Sequence, residues 1–292
     1  MSVSELRCFD AVARSLNFSR AARLLGRTQP NVTMQVARLE KRYGLELFHR
    51  RRGGAVTLTD IGARLQIVTR QLLMLEEDAT SLLESAGRLT TGHLRVGSIA
   101  PRSATRYLSA FRARYPEIEV SLAFGNSASV LEDVLACRID VGILGGHGDH
   151  VECEAQVLSE PEIVLLTNTV HPAAARGTLS REQFAQETLL LREPGSETRD
   201  LVLARMDEMD YRPRAVIEIG SREGVSAAAA VGLGIAAVSA EEMEPSPSAR
   251  ILRFADFAVS GVIHAVCLKR RLDTQLIRAF FAVVKLADST PQ

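Results

Sequence analysis

The chain has 292 residues, 46% apolar and 24% charged, which allows two or three domains with sizeable cores and excludes fibrous and disordered classes. Its net charge of zero hides an asymmetry: residues 1–70 hold 13 Lys/Arg against 5 Asp/Glu, and the other 222 residues hold 22 against 30. A basic head on an acidic body suits a protein that meets phosphate at one end only. No apolar run approaches the roughly 18 residues of a membrane span, and the opening MSVSELRCFDAV lacks a secretory apolar stretch. A cytoplasmic protein without membrane contact is expected. Cys8, Cys137, Cys153 and Cys267 form no CxxC pair and are expected to stay reduced.

Residues 4–16 place Leu6, Phe9, Val12, Ala13 and Leu16 on one helical face. Two short helices follow, Ser19–Leu25 and Gln29–Tyr43, separated by Gly26-Arg27-Thr28. Ala22 lets one helix lie close on the next, Gly26 takes the positive φ of the turn, and Val32 locks the second helix inward. Thr28 is placed to cap that helix, and Pro30 suits its first turn. Gln29, Asn31, Thr33, Met34, Gln35 and Arg38 then share an exposed face, bordered by Ser19, Arg20, Thr28 and Pro30. Amides, hydroxyls and a guanidinium are groups that read base edges in a major groove. Leu47-Phe48-His49 and Val56-Thr57-Leu58 flank RRRGG as a hairpin wing, with Arg50, Arg51 and Arg52 beside the DNA backbone or in the minor groove.

Asp60–Ala86 contains no proline, and Ile61, Leu65, Val68, Leu72, Leu75, Ala79, Leu82 and Ala86 alternate steps of four and three. That heptad seam predicts a coiled-coil helix and a partner chain to cover it, so that two half-sites on DNA are read at once. Gly87–Gly92 is a hinge-like linker. From His93 onward, strands such as HLRVGSI, IEVSLAF, DVGIL, EIVLLTN, TLLLR, AVIEI, IAAVS and VIHAVCL alternate with helices, among them Ser103–Tyr115, Ala128–Cys137 and Thr274–Leu286. This predicts α/β architecture with mostly parallel sheets, and the length suggests a split into two lobes near Pro161.

In an open α/β lobe, ligands sit at strand C-termini facing helix N-termini. Four junctions of that kind carry small hydroxyls. They are Ser98, Ala100, Pro101, Arg102 and Ser103 after the first strand; Asn126 and Ser127 after the second; Gly195, Ser196, Thr198 and Arg199 after TLLLREP; and Gly220, Ser221 and Arg222 after AVIEI. Free amides with a serine form an anion cradle, and Arg102, Arg199 and Arg222 add charge-assisted bonds. Glu193, Glu197 and Glu223 are candidates to face an ammonium. Ser127→Ala or Ser196→Ala is expected to weaken binding of a ligand held there. The plain alternative is that these serines only cap helices.

The loop GGHGDHVECE gathers His147, Asp149, His150, Glu152 and Cys153 without an established metal spacing, and Gly232-Leu233-Gly234 lacks the context of a dinucleotide fingerprint. No nucleophile elbow, P-loop or HExxH is present, so neither a catalytic residue nor a metal nor a resident cofactor is expected.

The stretches FSRAARLLGRTQPNVTMQVARLEKRYGLELFHRR, LTDIGARL, GHLRVGSI, RIDVGIL and GSREGVSAAAAVGLGIAAVS resemble the LysR-type transcriptional regulators along the whole chain. The resemblance implies a winged helix-turn-helix over 1–58 and a dimerisation helix over 59–87. It also implies an effector domain over 88–292, similar to type II periplasmic binding proteins, with lobe I at about 92–161 and 264–292 and lobe II at about 162–263. Operator DNA, a small-molecule effector, a homodimer or dimer of dimers, and RNA polymerase are the implied partners. Met34 stands where many relatives carry a polar or basic residue. RYGLELFHRR, FGNSASVLEDVL, LLREPGSETR and EIGSREGVSAAAAVGLGI further resemble the subgroup associated with 2-aminoethylphosphonate catabolism, which implies that zwitterion as effector.

Overall fold

The computed structural model describes residues 1–50, 56–84, 92–146, 148–243 and 247–288. Arg51 and Arg52 of the wing, Ala86 of the seam, linker residues 87–91 and His147 lie outside them, as do the side chains of Arg50 and Leu82. The chain forms two compact units, one over Met1–Arg88 and one over most of Leu89–Gln292.

The first unit opens with α1 (Val3–Ser15), started by a capping box in which Ser2 Oγ accepts the Glu5 N–H and Glu5 accepts the Ser2 N–H. Leu6, Phe9, Val12 and Ala13 are buried as the periodicity predicts. Leu16 is not: it ends the helix in the left-handed region (φ 48°) with its side chain 45% exposed. Asn17 caps α2 (Phe18–Leu24), one residue earlier than expected. Gly26 (φ 60°) makes the turn into α3 (Gln29–Tyr43). Thr28 occupies the N-cap position with extended backbone but makes no side-chain cap bond, contrary to expectation. Ala22 and Val32 are buried in a core that also holds Phe9, Val36, Leu39 and Phe48. The wing strands β1 (Phe48–Arg50) and β2 (Val56–Leu58) pair antiparallel.

Helix α4 (Asp60–Glu84) is tied to α1 by Arg70–Asp10 at 3.3 Å and Arg7–Glu76 at 2.8 Å. Thr69 and Met74 are its buried larger side chains. The heptad seam lies elsewhere on the helix: Ile61, Val68, Leu72, Leu75 and Ala79 are exposed, and Leu65 is half-buried.

The second unit contains two sheets. The first has the order β4-β3-β5-β14-β6, from β3 (His93–Ser98), β4 (Glu119–Phe124), β5 (Val141–Gly145), β6 (Cys153–Ser159) and β14 (Ile263–Leu268). The helices packed with it are α5 (Pro101–Arg114), α6 (Ser127–Leu135) and α10 (Gln275–Asp288). Its core includes Leu94, Val96, Tyr107, Phe111, Phe280 and Val284. The second sheet has the order β10-β9-β11-β7-β12-β8. Its strands are β7 (Glu162–Asn168), β8 (Thr178–Leu179), β9 (Thr188–Leu191), β10 (Ala215–Glu218), β11 (Ile235–Ser239) and β12 (Ala249–Phe254), with β13 (Val259–Ser260) against β7. Helices α7 (Arg181–Phe184), α8 (Glu197–Glu208) and α9 (Arg222–Ala230) accompany it. The sheets are mixed rather than mostly parallel. β4-β3-β5 and β10-β9-β11 run parallel, whereas β14, β6, β7 and β12 pair antiparallel with their neighbours, save that β12 runs parallel to β8. The chain passes from one sheet to the other near Pro161 and returns just before Ile263, which leaves a cleft at the strand ends.

Two carboxyls inside this unit, one buried and one half-buried, take opposite charge states. Asp140 accepts from Arg95 N, Nε and Nη2 at 2.7–3.1 Å and from Arg271 Nη1 at 2.6 Å, with its side chain fully buried. Burial pushes its carboxyl up, but the bonds and charges of both arginines more than reverse this, so it ionises below its ordinary range. Glu197, at the first turn of α8, lies where the two sheets meet. A Cβ on Gly145 would overlap its carboxylate, and Leu201 and Gly261 flank it. Desolvation pushes Glu197 up to about 7, against a hydrogen bond from the Gly146 N–H and helped by Asp200. Asp149 and His264 are the other titratable groups on that cavity.

Asp140→Ala, which leaves two arginines without their buried counter-charge, is expected to cost about 3–5 kcal/mol in urea unfolding. Glu197 keeps its proton in the folded state between pH 4.5 and about 7, where the unfolded chain has lost it. Stability therefore falls as pH rises through that window and stays lowered above it. Glu197→Gln should flatten this slope and raise stability at pH 8 by about 1–3 kcal/mol, read from urea midpoints between pH 5 and 8.

Candidate functional site

The exposed face of α3 is built by what its other face buries. Val32, Val36 and Leu39 anchor the helix, which leaves Gln29, Met34 and Arg38 exposed and Asn31, Thr33 and Gln35 half-exposed. Ser19 Oγ donates to Gln29 Oε1 at 2.9 Å, so the start of α3 is steadied from α2. Asn31 Oδ1 is buried without a hydrogen-bond partner. Met34 is 49% exposed, an apolar group amid the polar row. Arg20, Arg23 and Arg27 are exposed on α2 and the turn after it, and Arg27 is held by Ser4 Oγ at 2.9 Å. Pro30 sits in the first turn of α3, as expected, whereas Arg50, expected in the connection between the wing strands, is the last residue of β1. The arrangement leaves amides, hydroxyls and guanidinium groups exposed on α2, α3 and the turn between them, the groups that phosphates and base edges require.

In the second unit, the four junctions do not converge equally. A cavity of about 340 Å³ is lined by Pro101 and Arg102 at the start of α5, Thr198 on α8, and Arg222, Glu223 and Ser226 on α9. Arg192, Ser239 and Glu242 complete its polar lining, with Leu166, Val225 and Val238 among the apolar walls. Three predicted junctions thus reach one cavity, and α5 begins two residues earlier than expected. The junction at Asn126 and Ser127 does not line it. Asn126 Nδ2 instead donates to Glu193 Oε1 at 3.1 Å, and Ser127 is buried with its Oγ accepting the Gly145 N–H.

The serines mostly serve the backbone. Ser98 is fully buried and its hydroxyl bonds Ala100 N and O within the loop. Ser221 Oγ accepts the Gly224 N–H at 2.8 Å, a plain helix cap. Ser196 is 5% exposed and makes no cap bond, while Gly195 (φ 88°) accepts from Ala128 N. For Ser127→Ala and Ser196→Ala, the expected direct effect on ligand is therefore replaced by one on loop packing. Among the predicted serines, Ser103 differs in that its hydroxyl donates to a side chain of the cavity wall, Glu242. Arg199 turns away to Glu218 (3.0 Å) and the Arg192 carbonyl (2.6 Å). Glu193 pairs with Arg192 at 2.7 Å, and that bond, together with those from its own backbone and Asn126, lowers its carboxyl to about 2 despite partial burial. Glu197 faces the separate cavity beside Gly146.

Two functional side chains escaped the sequence. Arg192 ends a strand run that reads as apolar, and Glu242 lies in an acidic loop some 140 residues from the helix it touches. Burial lowers the pKa of Arg222, opposed by Glu242 at 3.3 Å. The cavity therefore carries three guanidinium groups, two of them paired with carboxylates of the protein itself and that of Arg102 held by the Met243 carbonyl, a setting for charged small molecules.

Residues 3–63 match the family described as bacterial regulatory helix-turn-helix protein, lysR family, and residues 87–287 match the LysR substrate binding domain. The HTH-type transcriptional regulator CbbR of Sinorhizobium medicae (strain WSM419) is 34% identical over 250 residues, which cover 84% of this chain and 79% of that one. The RuBisCO operon transcriptional regulator of Allochromatium vinosum is 32% identical over 246 residues, covering 84% and 81%. A full-length OxyR variant from Pseudomonas aeruginosa shares the fold, with a TM-score of 0.77 over 98% of this chain and 95% of that chain at 20% identity. No helix among the described residues is long and apolar enough to cross a membrane. A reading helix on a basic three-helix core, a long linker helix and a two-lobed α/β unit with a charged cleft thus coincide with the family match, and the chain belongs to the LysR family of DNA-binding transcriptional regulators, which are not enzymes.

Proposed function

We propose that this regulator acts in the cytoplasm as a homodimer, or a dimer of dimers, whose grip on operator DNA is set by a small anionic effector bound in the 340 Å³ cavity. The observation that carries the effector class is the convergence of Arg102, Arg192 and Arg222 on that cavity together with the first turns of α5, α8 and α9. The effector sits between two sheets, so it favours one lobe arrangement over another, and only that difference in affinity can be passed to the DNA. 2-Aminoethylphosphonate, the effector implied by the sequence resemblance, has the charge pattern the cavity offers: a phosphonate for the arginines and an ammonium for Glu223 or Glu242. The relatives reported above are named for CbbR and for a RuBisCO operon rather than for phosphonate use, so control of phosphonate genes rests on the sequence resemblance alone. Contact with RNA polymerase belongs to the same proposal.

The homodimer is supported by α4. Ile61, Val68 and Leu75 repeat every seven residues with 38%, 60% and 57% of their surfaces exposed. A helix with such a stripe gains about 25 cal/mol for each Å² of apolar surface that a second copy covers.

Leu75→Glu should convert the dimer into monomer in analytical ultracentrifugation and weaken operator binding more than tenfold. A dimer of unchanged strength would remove α4 as the interface. For the effector, a thermal-shift comparison of 2-aminoethylphosphonate, ethylphosphonate and ethanolamine is decisive. Both phosphonates should raise Tm and ethanolamine should not, and Arg192→Met should weaken the phosphonates by about tenfold or more, the worth of one charge-assisted bond. Stabilisation by ethanolamine alone would sink the anionic class.

A further inference from the structure

The first turn of α5 already holds an anion, and the anion belongs to the protein. The Glu242 carboxylate accepts the Arg102 N–H at 3.0 Å, the Ser103 N–H at 3.3 Å, the Ser103 hydroxyl at 3.0 Å and Arg222 Nη1 at 3.3 Å. Its side chain is 6% exposed. Arg102 Nη1 in turn donates to the Met243 carbonyl at 2.6 Å, so the arginine that opens α5 is held by the same loop. Two backbone amides, a hydroxyl and a guanidinium on one acid group form the donor set that recognises a carboxylate, phosphate or phosphonate.

This is not ordinary local capping. The residue at the N-cap of α5 is Ala100, which has no side-chain acceptor. The acceptor comes instead from the loop after β11, in the other sheet of the unit, so every one of these bonds to α5 crosses the cleft. Arg222 has its side chain 22% exposed and needs a counter-charge where it stands, which Glu242 supplies.

We infer that Glu242 is a built-in surrogate for the anionic group of the effector: it clasps the two lobes together when the cavity is empty, and an anionic effector enters by displacing it. The inference rests on the cavity being an anion site, as proposed above. Both acids need the same four donors, so they compete. The apparent affinity for an anion is the intrinsic affinity scaled down to the fraction of molecules whose cradle is free. The displaced loop, which also carries Arg102's backbone acceptor, is then released from α5. Effector binding is thereby converted into a change of lobe contact. A ligand without an anionic group has no means of opening the clasp. Glu242 thus sets both the charge class the site admits and the contact it alters.

The test uses the full-length chain as wild type, Glu242→Ala and Glu242→Gln, with inorganic phosphate and methylphosphonate as probes. Calorimetry should show both anions binding about tenfold or more tightly to Glu242→Ala than to wild type, with Glu242→Gln between. Hydrogen exchange should find the amides at the start of α5 protected in wild type, fast in Glu242→Ala, and protected again when phosphate is added. Anion binding that is equal or weaker in Glu242→Ala overturns the surrogate while leaving the cavity as an anion site. Unchanged exchange in that variant overturns the clasp independently of any ligand. Failure of all three proteins to bind either anion overturns both readings. If Glu242→Ala does not fold, the isosteric Glu242→Gln must by itself bind more tightly and exchange faster than wild type, or the inference falls.

Discussion

Asp140 sits without solvent contact between Arg95 and Arg271, which lie 45 and 131 residues from it in the chain. One carboxylate thereby connects β3, the turn into β5 and the short 3-10 turn at Lys269–Arg271 that leads towards α10. A buried ion of this kind is expensive to desolvate and holds only when its partners are complete. With three donors from Arg95 and one from Arg271 it is complete. The C-terminal helix can then lie with α5 over the first sheet, where Phe111 and Phe280 pack with ring centroids 5.9 Å apart. The position of α5, and with it the cleft, follows from that closure.

The cleft obeys the same rule with a different outcome. Arg102, Arg192 and Arg222 are each given an acceptor by the protein: the Met243 carbonyl, Glu193 and Glu242. In Asp140 the pairing is enclosed within one sheet and its helices, and so it is permanent. Around the cavity, the contacts that Glu242 and Met243 make with α5 run between lobes beside open volume, where another acid group can exchange for the resident one. Glu197 is a third case, a carboxyl pressed against Gly145 with no cation paired to it among the described residues, so desolvation raises its pKa.

Much of the fold was legible because periodicity reports burial directly. The helix-turn-helix, the α4 seam and the strands of the α/β unit follow from spacing, and Gly26 follows from the positive φ that its turn demands. What failed was of a different kind. Leu16 fits the apolar face of α1 but is turned out by a left-handed helix end, and Thr28 has the right side chain for a cap without the geometry to make it. The parallel character of the sheets was overestimated because β14 and β12 return antiparallel from remote parts of the chain, which local alternation does not reveal. At the site, the serines drew notice as polar groups at helix starts. Ser98 and Ser127 proved to be buried satisfiers of the backbone, whereas Glu242 looked like one more acid in a polar loop.

By itself the sequence determined the modules, their order, the reading helix, the unpartnered seam and the family, since each depends on residues near one another in the chain or on spacing along it. Only the tertiary structure decided which junctions share a cavity, which arginines face it and which acid already fills it. Those answers depend on groups up to about 140 residues apart meeting within hydrogen-bond distance. Spacing carries no record of such meetings, because they are fixed by how two sheets close upon each other.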